Sequence, residues 1–111
     1  APWPSVYKIH HLTDADITFI LTNGGHNAGI ISEPGHKHRH YRMATTTHTG
    51  RYIDHEAWRA ETPVQDGSWW DGWGTWLEAR SGARVAPPPM GRSDAGDTPL
   101  CDAPGDYVFQ W

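Results

Sequence analysis

Cysteine is nearly absent from this 111-residue chain. Cys101 stands alone, which excludes an internal disulfide framework and is compatible with a reducing cytoplasm. No stretch approaches the roughly 20 apolar residues that a membrane span requires, and no charged-then-apolar leader opens the chain. Positive charge is also scarce. Nine Lys+Arg against 13 Asp+Glu leave a net charge of -4, which argues against a nucleic-acid partner, since such partners are met by concentrated positive charge. Apolar residues make up only 37%, low for a self-sufficient globule, while 12 Gly and 9 Pro imply much irregular chain. Tryptophan, by contrast, is abundant. Seven indoles in so short a chain must be buried, or must cover a partner or a missing portion of the same protein. The length allows one small domain, and a piece of a larger α/β domain accounts for the whole combination.

The chain is organised around residues 16–31. Ile17, Phe19, Ile20 and Leu21 form a short apolar run with β-branched and aromatic residues, which suits a strand buried on both faces. Asn23-Gly24-Gly25 ends it, because paired glycines permit backbone angles that bulkier residues avoid. His26 follows at once. In parallel α/β sheets, ligands and catalytic groups gather on loops at the carboxyl ends of strands. A histidine there is suited to general-base work, since histidines ordinarily titrate near neutral pH. A lone histidine after a strand is nevertheless more often an ordinary loop residue, and spacing alone leaves the two readings open. Asn27 is expected to satisfy loop backbone rather than to take part in chemistry.

Upstream, residues 1–13 read as a loop feeding a short helix, with Pro4 in its first turn and Val6, Ile9 and Leu12 on one face. Helix followed by strand is the half-unit of a parallel sheet, so the strand at 16–22 is expected to pair with strands outside this chain. His36, His38 and His40 alternate. In an extended strand they would project from one face and offer metal ligands, but no cysteine or carboxylate completes the set, so a solvated polar strand is the plainer reading. Extended structure is expected to about residue 47, then a turn pivoting on Gly50.

Asp54 caps a helix expected over 55–61, anchored by Trp58 and stopped by Pro63. Ser68 caps the clearest helix, expected over 69–80, with Asp71 in the reciprocal capping position. Trp69, Trp73 and Trp76 follow the spacing of one helical face, flanked by Leu77 and Arg80. Gly72 and Gly74 each cost about 1 kcal/mol relative to Ala inside a helix, so this helix must draw its stability from packing of the indoles. Residues 83–105 read as extended, Pro/Gly-rich surface chain, and 107–109 as a short final strand. Cys101, beside Asp102 in flexible chain, lacks the cationic setting that makes a thiol nucleophilic.

The string from Leu21 to Gly35, with Asn23-Gly24-Gly25-His26-Asn27-Ala28-Gly29 at its heart, resembles the segment around the catalytic histidine of polyhydroxyalkanoate synthases. Ala1-Pro2-Trp3 is similar to the stretch just after those enzymes' catalytic aspartate. His38-Arg39-His40-Tyr41-Arg42, Gly67-Ser68-Trp69-Trp70, Ala86-Pro87-Pro88-Pro89-Met90-Gly91 and Pro99-Leu100-Cys101-Asp102-Ala103-Pro104-Gly105-Asp106-Tyr107-Val108 carry the resemblance almost end to end. It implies an α/β fold, as the C-terminal fragment of an α/β-hydrolase-like domain with few short strands and helices and much coil. The resemblance makes residues 1–111 a single segment: helix, strand and histidine loop over 1–35, an extended segment and short helix over 36–67, a Trp-rich helix over 68–82 and a tail over 83–111.

Members of that family are acyltransferases that polymerise hydroxyacyl-coenzyme A into polyester by Cys-Asp-His covalent catalysis, in the nucleophile, acid, histidine order of the hydrolase fold. The chain has no Gly-x-Cys-x-Gly elbow and begins, without an initiator Met, after the expected aspartate. The resemblance thus places one catalytic residue, His26, and implies that the fragment alone is inactive. It implies no metal and no cofactor, coenzyme A thioester being the substrate. The implied partners are the rest of the catalytic domain, hydroxyacyl-coenzyme A, the polyester granule surface and a second copy of the parent enzyme, in a cytoplasmic setting at storage granules. Two alternatives belong to other classes: a stand-alone interaction domain built on the tryptophans, and a metal-binding module built on His36, His38 and His40.

Overall fold

The structure, a computed structural model, describes residues 2–110; Ala1, which opens the expected N-terminal loop, and Trp111 lie outside them. The described chain divides into two units, meeting at Ser81 and Gly82.

The first unit is a small sheet with helices on both faces. Helix α1 (Trp3–Tyr7) has Pro4 in its first turn, where a missing N–H costs nothing, and continues as a 3-10 turn over Lys8–His11. The face that turns inward is the aromatic one. Tyr7 is buried and Trp3 packs beside it, whereas Val6, Ile9 and Leu12 are exposed. The expected Val6–Ile9–Leu12 face is therefore corrected: one turn of helix is too short to bury both faces, and the rings at positions 3 and 7, spaced i to i+4, carry more apolar area.

Strand β1 (Ile17–Thr22) forms where the apolar run lies, but its neighbour is not the one expected. It pairs antiparallel with β2 (His40–Thr46), Phe19 opposite Ala44 and Leu21 opposite Arg42. The two-residue β3 (Gln65–Asp66), between Pro63 and Ser68, pairs antiparallel with the start of β2. Sheet order is β1-β2-β3, so β1 is an edge. Parallel pairing is not seen among the described residues; the antiparallel return is made by residues 23–39 of the same chain. Of β1, only Phe19 is buried.

Alternation of side chains separates two faces. On one, Phe19 meets Trp58 edge-on at 5.2 Å and Tyr7 at 5.1 Å, with Ile17, Leu21, Ala44 and Ile53 around them. Trp58 belongs to α3 (His55–Glu61), which has the bounds its cap and stop signals predict. Asp54 accepts from the free N–H groups of Glu56 and Ala57 at 2.9 Å each, and these bonds, that from Ala57 foremost, hold its carboxyl below the usual range.

Helix α4 (Trp69–Glu78) covers the opposite face, over Thr18, Tyr41 and Met43. The residues facing the sheet are Gly72 and Trp76, the indole of Trp76 donating to Thr18 Oγ1 at 3.0 Å. Trp73 is 43% exposed and touches Trp69 across 5.5 Å, so the expected Trp69–Trp73–Trp76 face is corrected at its centre. Gly72 explains the difference. Without a side chain it lets the helix backbone approach Tyr41 closely, and this turns Trp73 outward.

In the second unit, residues 82–110, Arg92 bridges to Asp97, their side chains 3.5 Å apart. No described residue of this unit is buried. The strand expected at 107–109 is instead a 3-10 turn, Tyr107–Phe109. Lacking a partner strand, its backbone closes locally, Phe109 N–H donating to Asp106 at 3.0 Å.

Candidate functional site

The loop leaving β1 is bent by Gly24, whose φ of +94° lies in the left-handed region that glycine alone adopts freely. A Cβ there would also run into the guanidinium of Arg39. Two residues on, His26 has φ 49° and ψ −129°, a conformation a side chain adopts only at a cost of about 1–3 kcal/mol. It directly precedes α2 (Asn27–Ile30), a single turn of helix. The imidazole is exposed, and no hydrogen bond to it exists among the described residues. It lines an open pocket of about 500 Å³ together with Trp3, Val6, Leu21, Gly24 and Ile30. The predicted placement of His26, on a glycine turn just past a strand, is observed. Asn27 opens α2, and its carbonyl accepts from Ile31 N–H at 2.9 Å.

Three anchors hold this loop. The Asn23 side chain is used at both ends: its amide donates to the His38 carbonyl at 2.8 Å, and its oxygen accepts from His40 N–H at 2.9 Å. It thereby extends the β1–β2 ladder past its last strand residue. Gly29 is buried against Thr22, where a Cβ would come 2.8 Å from the Thr22 hydroxyl. The indole N–H groups of Trp69 and Trp70 both donate to the Ile30 carbonyl, at 2.9 and 3.0 Å. Beside them the buried Ser68 hydroxyl donates to the Ser32 carbonyl and accepts from Trp70 N–H at 3.0 Å. Sequence reading assigned Ser68 to its cap but neither it nor Trp69 and Trp70 to the histidine loop. Their contacts join positions 36 to 40 apart, and no local pattern marks them.

The histidine run is not a one-faced strand. His36 precedes a turn and shares 2.9 Å with Glu33, whose carboxyl it pulls below the usual range; His38 has φ 63°; only His40 belongs to β2. Among the described residues no group of three His, Cys, Asp or Glu side chains gathers in metal-binding geometry. Cys101 is exposed, in the second unit. No helix among the described residues is long and apolar enough to cross a membrane.

No family model matches the chain, and no solved structure does. Curated relatives do. The chain is 37% identical over 111 residues to poly(3-hydroxyalkanoate) polymerase 2 of Ectopseudomonas oleovorans, covering 97% of this chain and 18% of that protein. It is 31% identical over 112 residues to a poly(3-hydroxyalkanoate) polymerase subunit of Rhizobium etli, covering 99% of this chain and 16% of the relative. With the corresponding subunit of Cupriavidus necator the identity is 32% over 108 residues, 96% of this chain and 17% of that protein. The chain thus spans less than a fifth of the length of each of these three relatives. Each match takes in nearly the whole chain, and by this likeness the chain belongs, as a segment, to the poly(3-hydroxyalkanoate) polymerase family.

Proposed function

We propose that this chain is the C-terminal segment of an acyltransferase that polymerises hydroxyacyl-coenzyme A, and that His26 is its catalytic histidine. The observation that carries the reading is the likeness to polymerases over nearly the whole chain, supported by the exposed position of His26 on the loop after β1. A cysteine and an aspartate from outside these 111 residues complete the site. His26 takes the proton of the cysteine thiol, because the thiolate is the reacting form. The thiolate adds to the thioester carbonyl, the bond from carbonyl carbon to coenzyme A sulfur breaks, and coenzyme A leaves with the proton returned by the imidazolium. The hydroxyl of a further monomer, assisted by the aspartate, then attacks the acyl-enzyme carbonyl; the carbon–sulfur bond to the cysteine breaks, the hydroxyl proton returns to the cysteine sulfur through His26, and the chain is left one unit longer as an ester on the new monomer.

The surface of the first unit supports a larger enclosing domain. β1 offers a free edge, and Val6, Leu12, Ile30 and Ile31 are each more than half exposed. The rest of the catalytic domain covers them, in an enzyme that acts as a homodimer at polyester granules in the cytoplasm. The isolated segment, lacking the nucleophile, is inactive.

The test is His26→Gln in the full-length protein, assayed by coenzyme A release from hydroxybutyryl-coenzyme A. We expect release to fall to near background with the circular dichroism spectrum unchanged. Unchanged release would overturn the assignment.

A further inference from the structure

We infer that Trp69 and Trp70 are positioning residues for His26, acting through the Ile30 carbonyl; the inference rests on the catalytic reading of His26 given above. Helix α2 is one turn long, and so short a helix has no stability of its own in water. At its start, His26 holds a positive φ that relaxes unless its surroundings fix it. At its end, the Ile30 carbonyl is among those that a helix leaves without an internal partner. Two indole N–H groups from successive residues converge on that one oxygen, at 2.9 and 3.0 Å. Neighbouring positions on a helix point about 100° apart, so directing both rings at one atom is a specific demand on α4. The N-terminus of α4 is itself tied to the same segment by the buried Ser68 hydroxyl on the Ser32 carbonyl.

The histidine loop is therefore clamped at two points. Asn23 joins its beginning to β2, and the indole pair joins its end to α4. Ile30 lies four residues beyond His26, one helical turn, so only the single turn that the clamp itself holds in place separates the carbonyl from the imidazole. Placement matters because a general base must lie within hydrogen-bond reach of the proton it takes. Indole is suited to the task, since it combines a donor with a large rigid ring that keeps few rotamers.

The test uses the full-length enzyme with benzothienylalanine at positions 69 and 70, which keeps the ring shape and replaces the N–H by sulfur. The same two positions carrying 5-fluorotryptophan, which retains the N–H, serve as the rescue. Acylation is followed in single turnovers with hydroxybutyryl-coenzyme A, giving both the fraction of sites acylated and the rate constant. We expect the acylated fraction and KM to stay within about twofold of wild type while the rate constant falls about tenfold or more, the loss two ordinary hydrogen bonds would give. The fluorinated protein should acylate at the wild-type rate. Full acylation rate in the benzothienyl protein overturns the inference. So does a fall in the acylated fraction at unchanged rate, which marks the tryptophans as merely structural. Wild-type enzyme that does not acylate at all instead refutes the underlying reading of function.

Discussion

Two glycines of α4 set a controlled comparison. In a helix interior, replacing Gly by Ala favours the variant by about 1 kcal/mol, through backbone entropy alone. Nothing lies within 4 Å of a Cβ added at Gly74. Gly74→Ala should therefore stabilise α4 by about 0.5–1 kcal/mol. A Cβ at Gly72 would come 2.8 Å from the Tyr41 hydroxyl, 3.2 Å from its ring and 3.1 Å from the Met43 sulfur. Met43 is flexible and can turn aside. Tyr41 is buried, and its hydroxyl donates to Gln65 Oε1 at 3.0 Å. Either the ring moves, losing that bond at about 0.5–1.5 kcal/mol, or α4 lifts from the sheet at an overpacking cost of about 1–3 kcal/mol. After a propensity gain of about 0.5–1 kcal/mol is subtracted, Gly72→Ala should be close to neutral by the first route and destabilising by up to about 2 kcal/mol by the second.

The two variants are identical in chemistry and two residues apart, so the propensity gain cancels and they should differ by the clash alone, about 0.5–3 kcal/mol, or roughly 2- to 150-fold in the local opening equilibrium. Hydrogen exchange of the full-length protein, read by mass spectrometry on peptides covering 69–78 and 40–46, measures this directly. Gly74→Ala should slow exchange in α4, and Gly72→Ala should leave both α4 and β2 exchanging faster than they do in Gly74→Ala. Equal protection in the two variants would refute the close approach of α4 to Tyr41.

Trp58→Ala should cost about 3–5 kcal/mol, because it empties the position against which Phe19, Tyr7 and Trp3 pack, and the loss is read from the urea midpoint followed by exchange in β1. Ser68→Ala removes the cap of α4, about 1 kcal/mol, and strips the Ser32 carbonyl of its donor, a further 1–3 kcal/mol or about that; an unchanged exchange rate at the Trp70 amide would contradict both contacts. The Asp54 carboxyl titrates lower in the folded chain than in the unfolded one, so its stabilisation of α3 is full above the unfolded value and is lost as pH falls through the folded one. Protection of the amides in 55–61, taken relative to their intrinsic exchange at each pH, should therefore fall below about pH 4, and Asp54→Asn, which still caps, should flatten that dependence.

What could be read from the sequence was what neighbours in the chain decide. Asp54 and Ser68 find their N–H partners two or three residues away, and Pro4 needs only the first turn of a helix, so the helix starts were legible. The glycine turn that presents His26 is likewise local. What failed depended on partners far along the chain. Nothing in Ile17–Thr22 states that its neighbour is His40–Thr46 rather than a strand elsewhere, because a buried apolar run serves either pairing. Helical periodicity could place Trp73 and Trp76 on one stripe, but only the fit of Gly72 against Tyr41 decides which part of the stripe meets the sheet.

The misjudged face of α1 bears on the proposed enzyme in a different way. Val6, Ile9 and Leu12 have the spacing of a packed face, yet they are 51%, 41% and 78% exposed. If the periodicity were accidental, polar substitution there would be indifferent. If these residues pack against the domain that the proposed function requires, the pattern is correct and only its counterpart lies outside the chain. Ile30 argues for the second view, since it is 59% exposed, lines the His26 pocket with Val6, and has its carbonyl fixed by two indoles. A chain that spends two hydrogen bonds on fixing a turn whose apolar side chain still faces outward is ordering that side chain for something. The free edge of β1 runs beside the same pocket, so backbone donors and apolar side chains are offered together to one neighbour.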